Sequence, residues 1–315
     1  MPSSISNANT TTSTANTTTA VLPMRAGLNP SCVALPASGS GTLLDFLAQH
    51  LPGIERSQWQ QRMETGQVVD ARGQTVTPQR PFEAHLRLYY YREVANELVI
   101  PFQEEVLYQD AHLLVADKPH FLPVVPAGRY VQQTLLVRLR QRLGLPELSP
   151  LHRIDRETAG LVLFSVQRAT RGLYQNLFRD RAIVKHYEAV APWRPELEFP
   201  RQHHSRLTES GQFFLMHEVP GPPNSHTQME LLEVAAPWAR YRLSPITGKR
   251  HQLRVQMAAL GLPLRYDAFY PQVQDQPEGD FSRPLQLLAR ALAFTDPLSG
   301  QLHQFVSQRQ LLPLA

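Results

Sequence analysis

The segment His152-Arg153-Ile154-Asp155-Arg156-Glu157-Thr158-Ala159-Gly160 sets a carboxylate between two arginines, directly before the apolar run Leu161-Val162-Leu163-Phe164-Ser165-Val166. A branched apolar run opened by a glycine reads as a buried strand. The charged segment is therefore held at the edge of a core. Neighbouring cations favour the ionised form of a carboxylate, which suits Asp155 to act as a nucleophile or base. A strand entrance that merely pairs its own ions would be written with the same letters. This segment alone leaves both readings open.

A second segment, Thr247 to Gly261, reads as one helix, with Thr247 at the N-cap and Gly261 at the C′ position. Leu253, Met257 and Leu260 recur at helical spacing and predict a buried stripe. Arg250 and Arg254 lie four apart and should share a face. Cations at a helix N-terminus suit a phosphate or carboxylate partner. In isolation, a solvated basic helix explains the pattern equally.

Together these segments resemble the RluA-type pseudouridine synthases. That family's catalytic loop, His-Arg-Leu-Asp followed by Thr-Ser-Gly or Thr-Ala-Gly, corresponds to His152–Gly160. Its late motif, Thr-Gly-Arg, one residue, then His-Gln-Leu-Arg, corresponds to Thr247–Arg254. A Lys-x-Tyr strand is present as Lys185-His186-Tyr187, and a Lys-Pro segment as Lys118-Pro119. The order matches, over roughly residues 95–310. The resemblance implies isomerisation of uridine to pseudouridine in tRNA or large-subunit rRNA. It assigns Asp155 as the catalytic carboxylate, Arg254 as its ion partner and Tyr187 as the ring that stacks on the base. Arg153 resembles the residue that fills the space of a flipped-out uridine. His152 is expected to serve as a structural hydrogen-bonder beside the RNA. Lys185 and Lys118 are candidates for phosphate contacts, and Arg250 and Leu253 complete the RNA-facing set. No metal and no organic cofactor are implied.

The sequence departs from the family pattern at Gln256, where a histidine is usual, at Arg290, near the usual histidine of the last strand, at Arg265-Tyr266-Asp267, where Gly-Asp is common, and at Phe121, in place of a common glycine. These positions bear on substrate choice. Two other classes fit less well. A catalytically silent RNA-binding protein of the same fold would not need Asp155, Tyr187 and Arg254 together. A hydrolase would need a second carboxylate across the scissile bond, for which Glu157 is the nearby candidate.

The elements around these motifs predict an α+β fold: a mixed, mainly antiparallel central sheet with flanking helices, over residues 94–315. A hairpin runs from Glu105–Tyr108 to His112–Ala116. Helices are expected over Thr134–Leu143, stopped by Gly144, and over Thr170–Phe178. Strands are expected over Ile183–Val190, Thr227–Val234 and Ala239–Leu243, with a closing hairpin of Leu285–Phe294 and Leu302–Val306. The Pro- and His-rich span Pro192–Pro223 reads as a loop insertion, with His203, His204 and His226 as loop residues. Ahead lies a small α/β module, 41–93. It has a helix carrying Leu43, Leu44, Phe46, Leu47 and Leu51, a second helix Gln58–Thr65 capped by Ser57, and a short sheet. This order resembles an S-four-type RNA-binding module, in which Arg56, Gln60 and Arg62 would face RNA. A plain packing cap is the alternative.

Residues 1–40 are expected to be a disordered tail, because the Ser/Thr/Asn/Ala tract up to Val21 cannot bury enough apolar surface to offset ordering entropy. Translation is expected to be able to start at Met24. The formal charge of +4 and 42% hydrophobic content suit a globular partner of a polyanion. Only Lys118, Lys185 and Lys249 are lysines, a skew that GC-rich coding also produces. The single cysteine, Cys32, excludes a disulfide framework or a cysteine-based zinc site within one chain. No signal peptide and no spanning apolar run are legible. A cytoplasmic monomer is expected.

Overall fold

In the computed structural model, residues 22–94, 96–211 and 215–314 are described; the Ser/Thr-rich tract up to Val21 lies outside them. They divide into two compact units, one holding residues up to Arg25 together with 29–92, the other 26–28 and the chain from Glu93 onward.

The first unit contains β1 (Ser31–Ala34), α1 (Leu43–His50), α2 (Arg56–Glu64), β2 (Val68–Asp70) and β3 (Arg87–Tyr90), with sheet order β1-β3-β2. Thr42 caps α1, and its capping box is closed by Asp45. Leu43, Leu44 and Leu47 meet Trp59, Met63, Val68 and Leu88 in one core. Two expectations are corrected. β1 lies inside the stretch expected to be disordered, because Val33 and Leu35 add to this core. Helix α2 starts at Arg56, with Glu55 rather than Ser57 at its N-cap.

The second unit contains β4 (Glu105–Gln109), β5 (Leu113–Lys118), α3 (Leu135–Leu143), β6 (Ser149–Pro150), β7 (Ala159–Ser165), α4 (Arg168–Arg179), β8 (Val184–Pro192), β9 (Arg201–Glu209), β10 (Met216–Val219), β11 (Ser225–Ala235), β12 (Trp238–Pro245), α5 (Gln252–Ala259), β13 (Leu287–Thr295) and β14 (Leu302–Val306). The long path of its 11-stranded sheet runs β10-β9-β11-β12-β8-β13-β7-β5-β4, with β14 on β13 and β6 on β7. The β13–β7 pair is parallel and the other neighbours are antiparallel. The fold is thus α+β, with a mixed, mainly antiparallel sheet.

Strands β5 and β7 are buried throughout because both faces are covered. Leu114, Ala116, Val162 and Phe164 pack towards α3, whereas Leu113, Val115, Leu161 and Leu163 pack with Tyr174 of α4. Thr134 and Gly144 bound α3 as its sequence predicts. The span 192–223 is not a loop. Its prolines flank β9 and β10 instead of interrupting them, and β9 alternates in burial while pairing with β11. His203, His204 and His226 are therefore strand residues; His204 stacks on His226 and His203 meets Glu218.

Candidate active site

The loop between β6 and β7 carries Asp155, and a glycine fixes where it ends. Gly160 has φ +109°, and a Cβ there would lie 2.3 Å from the Ala289 carbonyl oxygen. Only glycine allows β7 this close to β13. Ala289 pairs with Gly160 on one side and with Tyr187 of β8 on the other. The loop and the tyrosine, distant in sequence, are thereby brought to one end of adjacent strands. From behind, Lys118 Nζ donates to the Arg156 and Pro119 carbonyls, both at 3.0 Å, and His120 Nδ1 donates to the Glu157 carbonyl at 2.7 Å.

Arg254 reaches this loop from α5. Its Nη1 donates to Asp155 Oδ2 at 3.1 Å. Its Nε and Nη2 form a fork on Asp267 at 2.8 and 2.6 Å, the bidentate geometry that fixes a guanidinium most firmly. Glu157 Oε2 lies 3.8 Å away. The Arg254 side chain is 1% exposed and that of Asp155 24%. Burial by itself would lower the Arg254 pKa, but Asp267, Asp155 and Glu157 outweigh it and hold the guanidinium charged. Burial would likewise raise Glu157, yet Arg156 and Arg254 hold it below the usual carboxylate range.

Asp155, Tyr187, Arg254, Leu253, Arg153 and Lys185 line one recess. It opens into a cleft of about 780 Å³, where Arg181, Lys249 and Arg250 join the wall. Burial pushes the Tyr187 phenol upward, and the Asp155 charge adds to the shift; Tyr187 is thus a neutral, ring-bearing wall of the site. Burial and the nearby Arg181 lower Lys185. What the arrangement can do chemically is hold a planar, uncharged ring beside a carboxylate whose orientation is set from below. Among the described residues no cluster of His, Cys, Asp and Glu is arranged to hold a metal.

Other expected residues have partners of their own, on the cleft wall for His152, Thr247 and Arg250 and outside its lining for the rest. Lys118 is fully buried and turned onto backbone carbonyls, so it does not face a phosphate. The helix begins at Gln252 rather than after Thr247, which separates exposed Arg250 from buried Arg254; Arg250 meets Glu209 at 3.3 Å instead. The Thr247 hydroxyl, expected as a cap, accepts from His226 N and donates to Gln252 Oε1. His152 accepts from Leu163 N and stacks on Phe178. Burial lowers its pKa to about 3, so it stays neutral. Arg56 and Arg62 belong to the first unit, where Arg56 pairs with Asp45 and Arg62 lies over Trp59.

The departures acquire reasons. Gln256 donates to Ser205 and Ser225 and accepts from Thr227, locking α5 onto β9 and β11. Arg290 forks onto Glu188, next to Tyr187, and donates to the Ser307 and Arg309 carbonyls. Phe121 takes the left-handed φ of +67° that a glycine would adopt without strain. Asp267 and His251 were missed as site residues. An aspartate in an irregular stretch 13 residues beyond Arg254 gives no periodic signal; its only legible mark was its place in the departure Arg265-Tyr266-Asp267.

Comparison with known proteins points to one family. The family model described as RNA pseudouridylate synthase matches residues 112–259. An uncharacterized RNA pseudouridine synthase of Synechocystis is 32% identical, covering 72% of this chain and 79% of its own. A dual-specificity RNA pseudouridine synthase RluA of Haemophilus ducreyi is 33% identical, covering 65% and 92%. Among solved structures, human RNA pseudouridylate synthase domain containing 4 matches with a TM-score of 0.51 and 26% identity, covering 66% of this chain and 88% of that one.

Proposed function

The chain belongs to the RluA-type RNA pseudouridine synthases, and on that premise we propose that it isomerises a specific uridine in tRNA or large-subunit rRNA with Asp155 as the nucleophile. The observation that carries this reading is the Asp155–Arg254 contact at the floor of a cleft walled by Tyr187. The reaction breaks the bond between uracil N1 and ribose C1′, turns the base, and joins C5 to C1′. C5 loses its proton and N1 gains one, so the net change is an isomerisation. The carboxylate serves it by adding to C6 of the ring or to C1′ of the sugar. Arg254 fixes the Asp155 carboxylate, and the Tyr187 ring supports the flat face of the base. Extruding a stacked uridine costs a few kcal/mol, and Arg153, exposed on the catalytic loop, is placed to occupy the vacated space. Lys185, Lys249 and Arg250 on the cleft wall suit the flanking phosphates.

The small N-terminal unit is proposed to add a second RNA contact, and the enzyme to act as a cytoplasmic monomer. That the Haemophilus relative is named dual-specificity makes two RNA targets the first to assay. The test is tritium release from C5-tritiated transfer RNA and large-subunit ribosomal RNA transcripts. Asp155→Asn should leave folding and RNA affinity intact and lower turnover by at least about 10⁴-fold. Near-wild-type release from that variant removes Asp155 as nucleophile. Binding without release from the native chain would instead favour a silent RNA-binding protein.

A further inference from the structure

Arg254 engages only one oxygen of Asp155. The other, Oδ1, faces His251, whose Nε2 lies 3.9 Å away. His251 sits at the N-cap of α5 in a left-handed conformation, φ 53°. A residue with a Cβ holds such a backbone only where its surroundings impose it, and such positions gather at functional sites. Here the surroundings are specific. The Tyr270 hydroxyl lies 2.8 Å from His251 Nδ1, and the Tyr270 ring packs edge-on against the imidazole. Tyr270 is held in turn by Asp267, whose Oδ1 accepts from the backbone N–H groups of Phe269 and Tyr270. The carboxylate that forks Arg254 therefore also sets the tyrosine that sets the histidine.

The hydrogen bonds also choose a tautomer. Met216 N–H donates to the Tyr270 hydroxyl oxygen at 2.9 Å. Among the described hydrogen bonds the hydroxyl hydrogen has no acceptor other than His251 Nδ1, which assigns Nδ1 as acceptor. A neutral imidazole with an accepting Nδ1 carries its proton on Nε2, the nitrogen that faces Asp155.

We propose that His251 is a positioning residue for the nucleophile, a neutral Nε2–H donor aimed by Tyr270 at Asp155 Oδ1, so that the carboxylate is gripped at both oxygens. This rests on Asp155 being the nucleophile. The gap of 3.9 Å exceeds a hydrogen bond; contacts of this kind tighten once a site is occupied. The groups facing His251 are Asp155 and Glu157 from the catalytic loop, Arg250 and Arg254 from its own segment, and Tyr270. Burial, with the two arginines, lowers its pKa against the pull of the carboxylates, which keeps the imidazole neutral. Its role is thus orientation, and it does not abstract a proton.

The test uses the full chain with ¹⁵N-labelled histidines, the His251 signals being assigned by their loss in His251→Gln. The expected spectrum shows Nδ1 unprotonated and Nε2 protonated. Tyr270→Phe, which leaves the cleft lining intact, should mix the two tautomers. It should lower kcat for tritium release about tenfold with KM unchanged, the signature of lost orientation rather than lost binding. A proton on Nδ1 in the native protein overturns the proposal, and so does a wild-type kcat in Tyr270→Phe. Should Tyr270→Phe misfold, the native spectrum decides. Asp155→Asn, assayed in parallel, separates the two ideas. If it stays active, the nucleophile assignment fails; if it is dead while Tyr270→Phe is fully active, only the positioning role fails.

Discussion

Two basic side chains are enclosed in the catalytic unit; burial works against the charge of both, and only one has the partners to keep it. Arg254, under the cleft, is ringed by Asp267, Asp155 and Glu157, and its charge is reinforced. Lys118, behind the same loop, is completely buried and, among the described residues, donates to the carbonyl oxygens of Pro119 and Arg156. Burial pushes its pKa from 10.5 down to about 7, with Glu157 and Asp155 opposing from a distance. An interior charge is thus decided by the formal charge of its direct partners, not by the residue type. One site keeps a permanent cation to hold a carboxylate. The other needs a hydrogen-bond donor to tie down a loop, a task a neutral amine also performs.

Removing the Arg254 cation should have the largest effect. Arg254→Met strips Asp155 and Asp267 of their direct counter-ion and leaves Glu157 to Arg156 alone, and stability should fall by about 3–5 kcal/mol, read as a lower urea midpoint, with turnover lost. An unchanged midpoint would mean that the cluster is not charged as described. Lys118→Met should act through pH. The unfolded chain keeps this lysine protonated up to about 10.5, whereas the native protein releases the proton near 7. Unfolding between those values takes up a proton, so wild-type stability should rise with pH across that window. The rise should be roughly 3–5 kcal/mol relative to Lys118→Met. Parallel stability curves for the two proteins from pH 7 to 10.5 would break the contrast. The smallest effect belongs to the first unit. Arg56 and Asp45 meet at 2.7 Å, a contact as short as those of Arg254, but with both side chains about half exposed. Water already solvates them, so Arg56→Ala should leave the thermal midpoint unchanged within error. A clear drop would show that distance, not burial, sets the worth of these pairs.

Much of the catalytic unit was legible from local signals. Thr134 and Gly144 mark both ends of α3, the apolar run of β7 reads as a buried strand, and β5 reads as one arm of a hairpin. Local signals failed where tertiary hydrogen bonds overrode them. The hydroxyl of Thr247 is taken up by His226 and Gln252, so α5 starts later, after a left-handed His251. Strands β9 and β10 hide in a Pro- and His-rich stretch because β9 takes its register from β11 and β10 from β9, neither of which is legible in the sequence pattern. Strand β1 escaped notice because four residues in a polar tract carry no period; its worth lies in Val33 and the neighbouring Leu35 reaching a distant core.

The sequence by itself determined which residue types were present for the proposed chemistry, Asp155, Tyr187 and Arg254, and the elements that carry two of them, because strand and loop propensities act over a few residues. Only the tertiary structure decided that Asp267 completes the grip on Arg254, that His251 faces the free oxygen of Asp155, and that Lys118 is sealed from RNA. Those outcomes depend on which side chains meet across the sheet and on how much water is excluded when they do, and neither quantity is written in any local stretch of the chain.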